Sequence, residues 1–207
     1  MRPLRPLAIA VVLAAGVAAR GDASVRNLPG AANPDWPCVQ RLLPEISAGM
    51  IWAGPPLDSV GNGAADPEVA RLAEELAARR VPIGEAETMV EDFAGDLAPD
   101  ARQEQLVRLF AETLEVINAD RSSIINGIER YTRGQRELAS NIAKRNDAIQ
   151  ALPASDVTER QRLVAERDWD LRIFNDRRSA LTYLCEQPVL LEQRAFALAR
   201  SIAGQLE

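Results

Sequence analysis

Two cysteines carry the most sharply defined chemistry in this 207-residue chain: Cys38, within Trp36-Pro37-Cys38-Val39, and Cys185, within Tyr183-Leu184-Cys185-Glu186. A thiol pair can close a disulfide, hold a soft metal or cycle between redox states. The two residues form no CxxC motif and the chain contains no histidine, so redox and Cys/His metal chemistry lack their usual partners. An even count favours a single structural bridge, and a bridge requires an oxidising compartment. Closing so long a loop stabilises by about 4 to 5 kcal/mol in the chain-entropy description.

The missing histidine also removes the commonest general base and the usual pH switch. Acidic pairs such as Glu85 with Glu87 and Glu91 with Asp92 are frequent. Glycosidase chemistry needs two carboxylates facing each other across a cleft, one of them desolvated, and a slender helical protein offers no such cleft. Carboxylate catalysis is therefore the one enzyme class that composition leaves open. There is no GxGxxG, no GxxxxGK[ST] and no GxSxG, the loops that cradle phosphates or present a nucleophilic serine. No catalytic residue, metal ligand or cofactor is assigned. An excess of 30 acidic over 24 basic residues argues against nucleic acid as a partner. All basic residues but Lys144 are arginine, which reads first as a coding bias.

Two further groups are candidates for recognition. Trp36 and Trp52 stand among prolines, with Pro55 and Pro56 close behind; rigidly presented aromatics suit a partner-binding surface, although both rings could instead pad a helical body. Arg121, Gln135 and Arg145 interrupt an otherwise apolar stripe. They would form a polar site, fix pairing register, or pack their stems while the heads reach acids such as Glu166 or Asp168.

The elements that position these residues are helical. Prolines at 29, 34, 37, 44, 55 and 56 forbid a long helix over residues 20–66, yet Trp36, Leu42, Leu43, Ile46, Met50, Ile51 and Trp52 are too apolar for a free linker. An extended arm lying on a helical body and tied down through Cys38 satisfies both facts. Ser59 to Asp66 reads as a flexible connection, with Asp66 an N-cap and Pro67 the first helical residue. Helices are expected over 67–80, 84–97, 99–152, 157–187 and 188–206, with Pro188 kinking or ending the fourth. In the longest, steps of four and three from Phe110 pass through Leu114, Ile117, Arg121, Ile124, Ile128, Tyr131, Gln135, Leu138, Ile142, Arg145 and Ile149 to Leu152. Ten of the thirteen positions are apolar, a coiled-coil seam.

Pro153 to Asp156 reads as a turn, with Ser155 or Asp156 capping the next helix. Folding there pairs Leu138 with Leu171 and Ile128 with Leu181, and sets Cys185 level with Ile124. The tip, about 143–164, would project. The alternating charges from Glu159 to Arg178 then form a solvated, salt-bridged face. The fold expected is all-α: a long antiparallel coiled-coil-like helical hairpin with short flanking helices and an extended Pro-rich N-terminal arm.

Arg2 and Arg5 precede an uncharged run from Pro6 to Ala19 and a small-residue exit, the layout of a signal peptide. Residues 1–19 are expected to direct export, with cleavage after Ala19 or as late as Ala23. The apolar run of about 14 residues is short for a membrane span of roughly 20; an uncleaved inner-membrane anchor is the alternative. These features point to a periplasmic or secreted, non-enzymatic adaptor, scaffold or accessory protein. Its partner would be a protein of the cell envelope, with homo-oligomerisation through the seam as a corollary. Membrane association is expected only if the signal is retained. The alternative class is a periplasmic sensor or chaperone-like stress protein that binds clients on its helical surface.

Overall fold

The computed structural model describes residues 33–60 and 66–206. The export signal, both candidate cleavage positions, the arm before residue 33 and the centre of the Ser59–Asp66 connection lie outside them. The described chain is all-helical: α1 (Ala48–Ile51), a 3-10 turn (Leu57–Val60), α2 (Pro67–Ala77), α3 (Ile83–Asp96), α4 (Arg102–Ala151) and α5 (Val157–Gly204). At 1.5 Å per residue the two long helices, of 50 and 48 residues, each extend for about 70 to 75 Å.

Local chemistry accounts for the starts and stops. The Asp66 carboxylate accepts from the Glu68 N–H at 2.9 Å, and Pro67 takes the first helical position of α2. Asp156 occupies the N-cap of α5 without a side-chain hydrogen bond. The turn is closed instead by Arg160, which donates to the carbonyls of Ile149 and Leu152, both at 2.8 Å. A cation on the unsatisfied carbonyls at the end of α4 complements its negative dipole end.

α4 and α5 pack along their length as an antiparallel hairpin. All thirteen seam positions from Phe110 to Leu152 are buried or half-buried. The Gln135 side chain donates to the Phe174 carbonyl at 3.1 Å, and the Tyr131 hydroxyl to the Arg177 carbonyl at 2.8 Å. These bonds match the pairing that set Leu138 against Leu171. α5 covers this face of α4 within one molecule.

The core sits at one end, where α2 and α3 join the first turns of α4 and the last turns of α5. Leu76, Val90, Leu106, Phe110, Leu198 and Ile202 are fully buried there. Beyond Arg136 the hairpin is a bare pair of helices, and Ile142 is the only buried apolar residue between Ile128 and Pro188 among the described residues.

The expected break at Pro188 is not present: α5 runs through it to Gly204. An interior proline removes one hydrogen bond and crowds the preceding turn, costing about 3 kcal/mol. Against this, Leu191, Leu198 and Ile202 are buried, each contributing about 1.5 to 3 kcal/mol. All three lie after Pro188, and the continuous helix carries them directly from the hairpin into the core without an intervening loop. Pro188 is itself buried beside Gln187, whose amide donates to the Tyr183 carbonyl at 3.1 Å.

Candidate functional site

The arm is seated antiparallel to α4 by a ladder of side-chain contacts. Asn33 donates to Glu129 at 2.7 Å, and the Asp35 carboxylate takes Arg133 at 2.7 Å together with Arg136. Further along, Arg121 donates to the carbonyls of Leu43 and Pro44. Asn118 then mimics a strand edge, accepting from the Ile46 N–H at 2.9 Å and donating to the Ile46 carbonyl at 3.1 Å. The hydrogen bonds from Arg133 lower the Asp35 carboxyl pKa, helped by the charge of Arg136.

Cys38 is disulfide-bonded to Cys185, with Cα atoms 5.5 Å apart, and the Gln40 amide donates to the Cys185 carbonyl. The expected bridge is present. Thus the arm is held from both sides, by α4 through polar contacts and by α5 through a covalent bond.

The sequence-derived recognition residues fall in different places. Trp52 lies on Phe110, ring centroids 4.1 Å apart and 6° from parallel, and its indole N–H donates to the Pro55 carbonyl at 2.7 Å. Trp36 is half-buried and donates to the Gln40 carbonyl at 2.8 Å, closing a local turn. Pro55 is half-buried and Pro56 exposed. Of the polar seam positions, Arg121 is buried and reaches arm carbonyls instead of an acid. Arg145 does meet Glu166 at 3.4 Å, together with Asp170, while Asp168 pairs with Arg167 at 2.6 Å. The three seam residues are spread along α4 and form no common site.

A second buried arginine belongs to the end of α2. Arg194 donates to the carbonyls of Leu76 and, at 2.8 Å, Val81, where the last turn of α2 leaves acceptors unmet. Desolvation lowers the pKa of both Arg121 and Arg194, and both stay charged because an arginine titrates far above neutrality.

The concave surface that remains lies beside the disulfide. A groove of about 570 Å³ is walled by the arm at Pro37–Gln40 and by the outward face of α5, including Leu181, Cys185, Val189 and Leu190. A second hollow of about 400 Å³ shares Leu190 and Gln193 with it and adds Arg79, Ile83, Arg194 and Ala197. Val39 is fully exposed at the rim, and Tyr183 and Leu190 are exposed nearby. The groove's charged lining is Arg178 and Glu186 at the first hollow and the two arginines at the second. One carboxylate with no partner carboxylate gives no acid–base pair; an apolar floor with charged ends suits binding.

None of the groove residues except Cys38 and Cys185 stands out in the linear reading. Their signal was a spacing on α5: Leu181, Cys185 and Val189 recur every four residues and all three are half-buried beside the arm. The disulfide is compatible with an oxidising, extracytoplasmic compartment. No helix among the described residues is long and apolar enough to cross a membrane. No family model, curated protein or solved structure matches this chain.

Proposed function

We propose that this protein is an exported, non-enzymatic adaptor of the periplasm or the extracellular space that holds a protein partner on the outward face of α5. The carrying observation is the apolar groove walled by Pro37, Val39, Leu181, Val189 and Leu190 around the Cys38–Cys185 bridge. The disulfide fixes one wall of the groove, and a preformed site binds with a smaller ordering cost. The basic start, short apolar run and small-residue exit of residues 1–19 support export. The bare hairpin beyond Arg136 serves in this reading as a spacer that carries the groove away from whatever its tip meets.

The experiment is site-specific photocrosslinking in intact cells of the source organism, from Val39 and Leu190 in the groove and from Ala139 on the distal hairpin. A discrete heteromeric product from the groove positions alone is the expected result. No product from either groove position, with the protein correctly exported and oxidised, overturns the assignment.

A further inference from the structure

The groove's outward stripe specifies the shape and charge of what it binds. From Arg178 to Ala197 the α5 wall advances by nineteen residues, about 28 Å at helical rise. Along it Leu181, Cys185 and Val189 repeat every four residues, the spacing that accepts the side chains of another helix. Its two ends are cationic. Arg178 lines one end and the exposed Arg79 the other, and neither has a carboxylate partner among the described residues; Arg79 donates only to the neutral Gln187 side chain, while the neighbouring Arg194 is turned inward to the Leu76 and Val81 carbonyls.

We infer that the partner presents a single amphipathic helix of about five turns, apolar along one stripe and acidic at both ends. This rests on the adaptor reading and deepens it. Charge excludes the two other occupants within reach. The segment from residue 20 to residue 32, left once the signal is removed, carries Arg20 and Arg26 against Asp22, the wrong sign for cationic ends. A second copy of α5 would bring Arg178 against Arg178 in parallel packing, or against the Arg79 and Arg194 end in antiparallel packing. Like charges so placed oppose docking. Glu186 sits between the ends, so the partner's middle carries no acid opposite it.

The test uses the full, oxidised chain and two labelled helical peptides of about twenty residues. They share a Leu/Ala stripe and differ only in carrying glutamates or lysines at both ends. The acid-ended peptide is expected to bind at least about tenfold tighter, with the gap narrowing as salt rises from about 50 to about 500 mM. Arg178→Glu combined with Arg79→Glu reverses the preference, and Val189→Asp abolishes binding of both peptides. Equal affinities, or a preference that survives the charge reversal, overturn the inference. So does a groove that takes a fluorescent long-chain fatty acid and neither peptide. Should crosslinks form in cells from Val39 and Leu190 while the peptides show no charge preference, the helix chemistry falls and the adaptor reading stands. If no crosslinks form and the acid-ended peptide is still preferred, the adaptor reading falls instead.

Discussion

The indole of Trp52 lies flat on the ring of Phe110, 4.1 Å between centroids. The pair fastens the end of the arm to the bundle, because Phe110 is fully buried among helices α2, α4 and α5 while Trp52 comes from the segment between α1 and the 3-10 turn. It also explains Gly54. A methyl at that position would fall 2.6 Å from Cε2 of Trp52 and 2.8 Å from a methyl of Leu206.

Trp52→Ala is expected to destabilise the protein by about 2 to 4 kcal/mol, from lost ring burial and the void left against Phe110. Gly54→Ala should cost about 1 to 3 kcal/mol by forcing the indole off its stack. Urea denaturation followed by circular dichroism reads both. A Gly54→Ala protein as stable as wild type would mean that the indole moves freely.

Reducing the Cys38–Cys185 bridge removes a constraint over a sequence separation of 147 residues. The loss should be up to about 5 kcal/mol. Helical signal is expected to persist at room temperature, because α4 and α5 pack without the arm. Protection of the arm amides against hydrogen exchange should fall first. Simultaneous loss of helix and arm protection would show that the hairpin depends on the bridge.

Arg194→Met should destabilise by about 2 to 4 kcal/mol, since the carbonyls of Leu76 and Val81 would stay buried without a donor. Arg194→Lys should recover little of this, because one ammonium cannot reproduce the planar fork that serves both carbonyls. Full rescue by lysine in urea denaturation would contradict the capping role.

The Asp35 carboxyl is held below its ordinary value of 3.8 by Arg133 and Arg136. Its contribution to arm seating is therefore complete above pH 3.8 and is lost as pH falls through the lower, folded value. Glu159 at the hairpin tip is lowered in the same direction by Arg162. Tryptophan fluorescence between about pH 5 and about pH 2 should show a transition that Asp35→Asn removes from the arm and leaves at the tip. An unchanged profile in Asp35→Asn would separate arm seating from this carboxylate.

Ile142→Ala should loosen the distal hairpin alone. Ile142 is the one buried apolar residue in that half among the described residues, so its truncation removes about 2 to 4 kcal/mol of local stability. Hydrogen exchange should quicken from about residue 136 to residue 170 and stay unchanged in α2 and α3. Uniform acceleration through the molecule would show one cooperative unit.

Much of the architecture is written in the linear chain. The stripe from Phe110 to Leu152 repeats every three and four residues because a helix buries one face, and that local rule fixes the hairpin and its register. Cys38 and Cys185 could pair only with each other. Asp66 before Pro67 marked a helix start for the same local reason. Pro188 does not end its helix: a proline's cost is local, whereas the packing on both sides of it, along α4 before and in the core after, exists only in the assembled bundle.

The roles of Arg121 and Arg194 follow from where folding put free carbonyls, on an arm 77 or 78 residues away and on the last turns of α2. The groove is still less legible in the linear chain, since its walls come from residues 37–40, Arg79, Ile83 and 178–197. Periodicity reports which face of a helix is apolar, so the chain itself determined the rods, their pairing and the covalent tie. What each face meets depends on distances between segments far apart in sequence. Only the tertiary structure decided that one apolar face of α5 is covered by the core while another is left open beside the bridge.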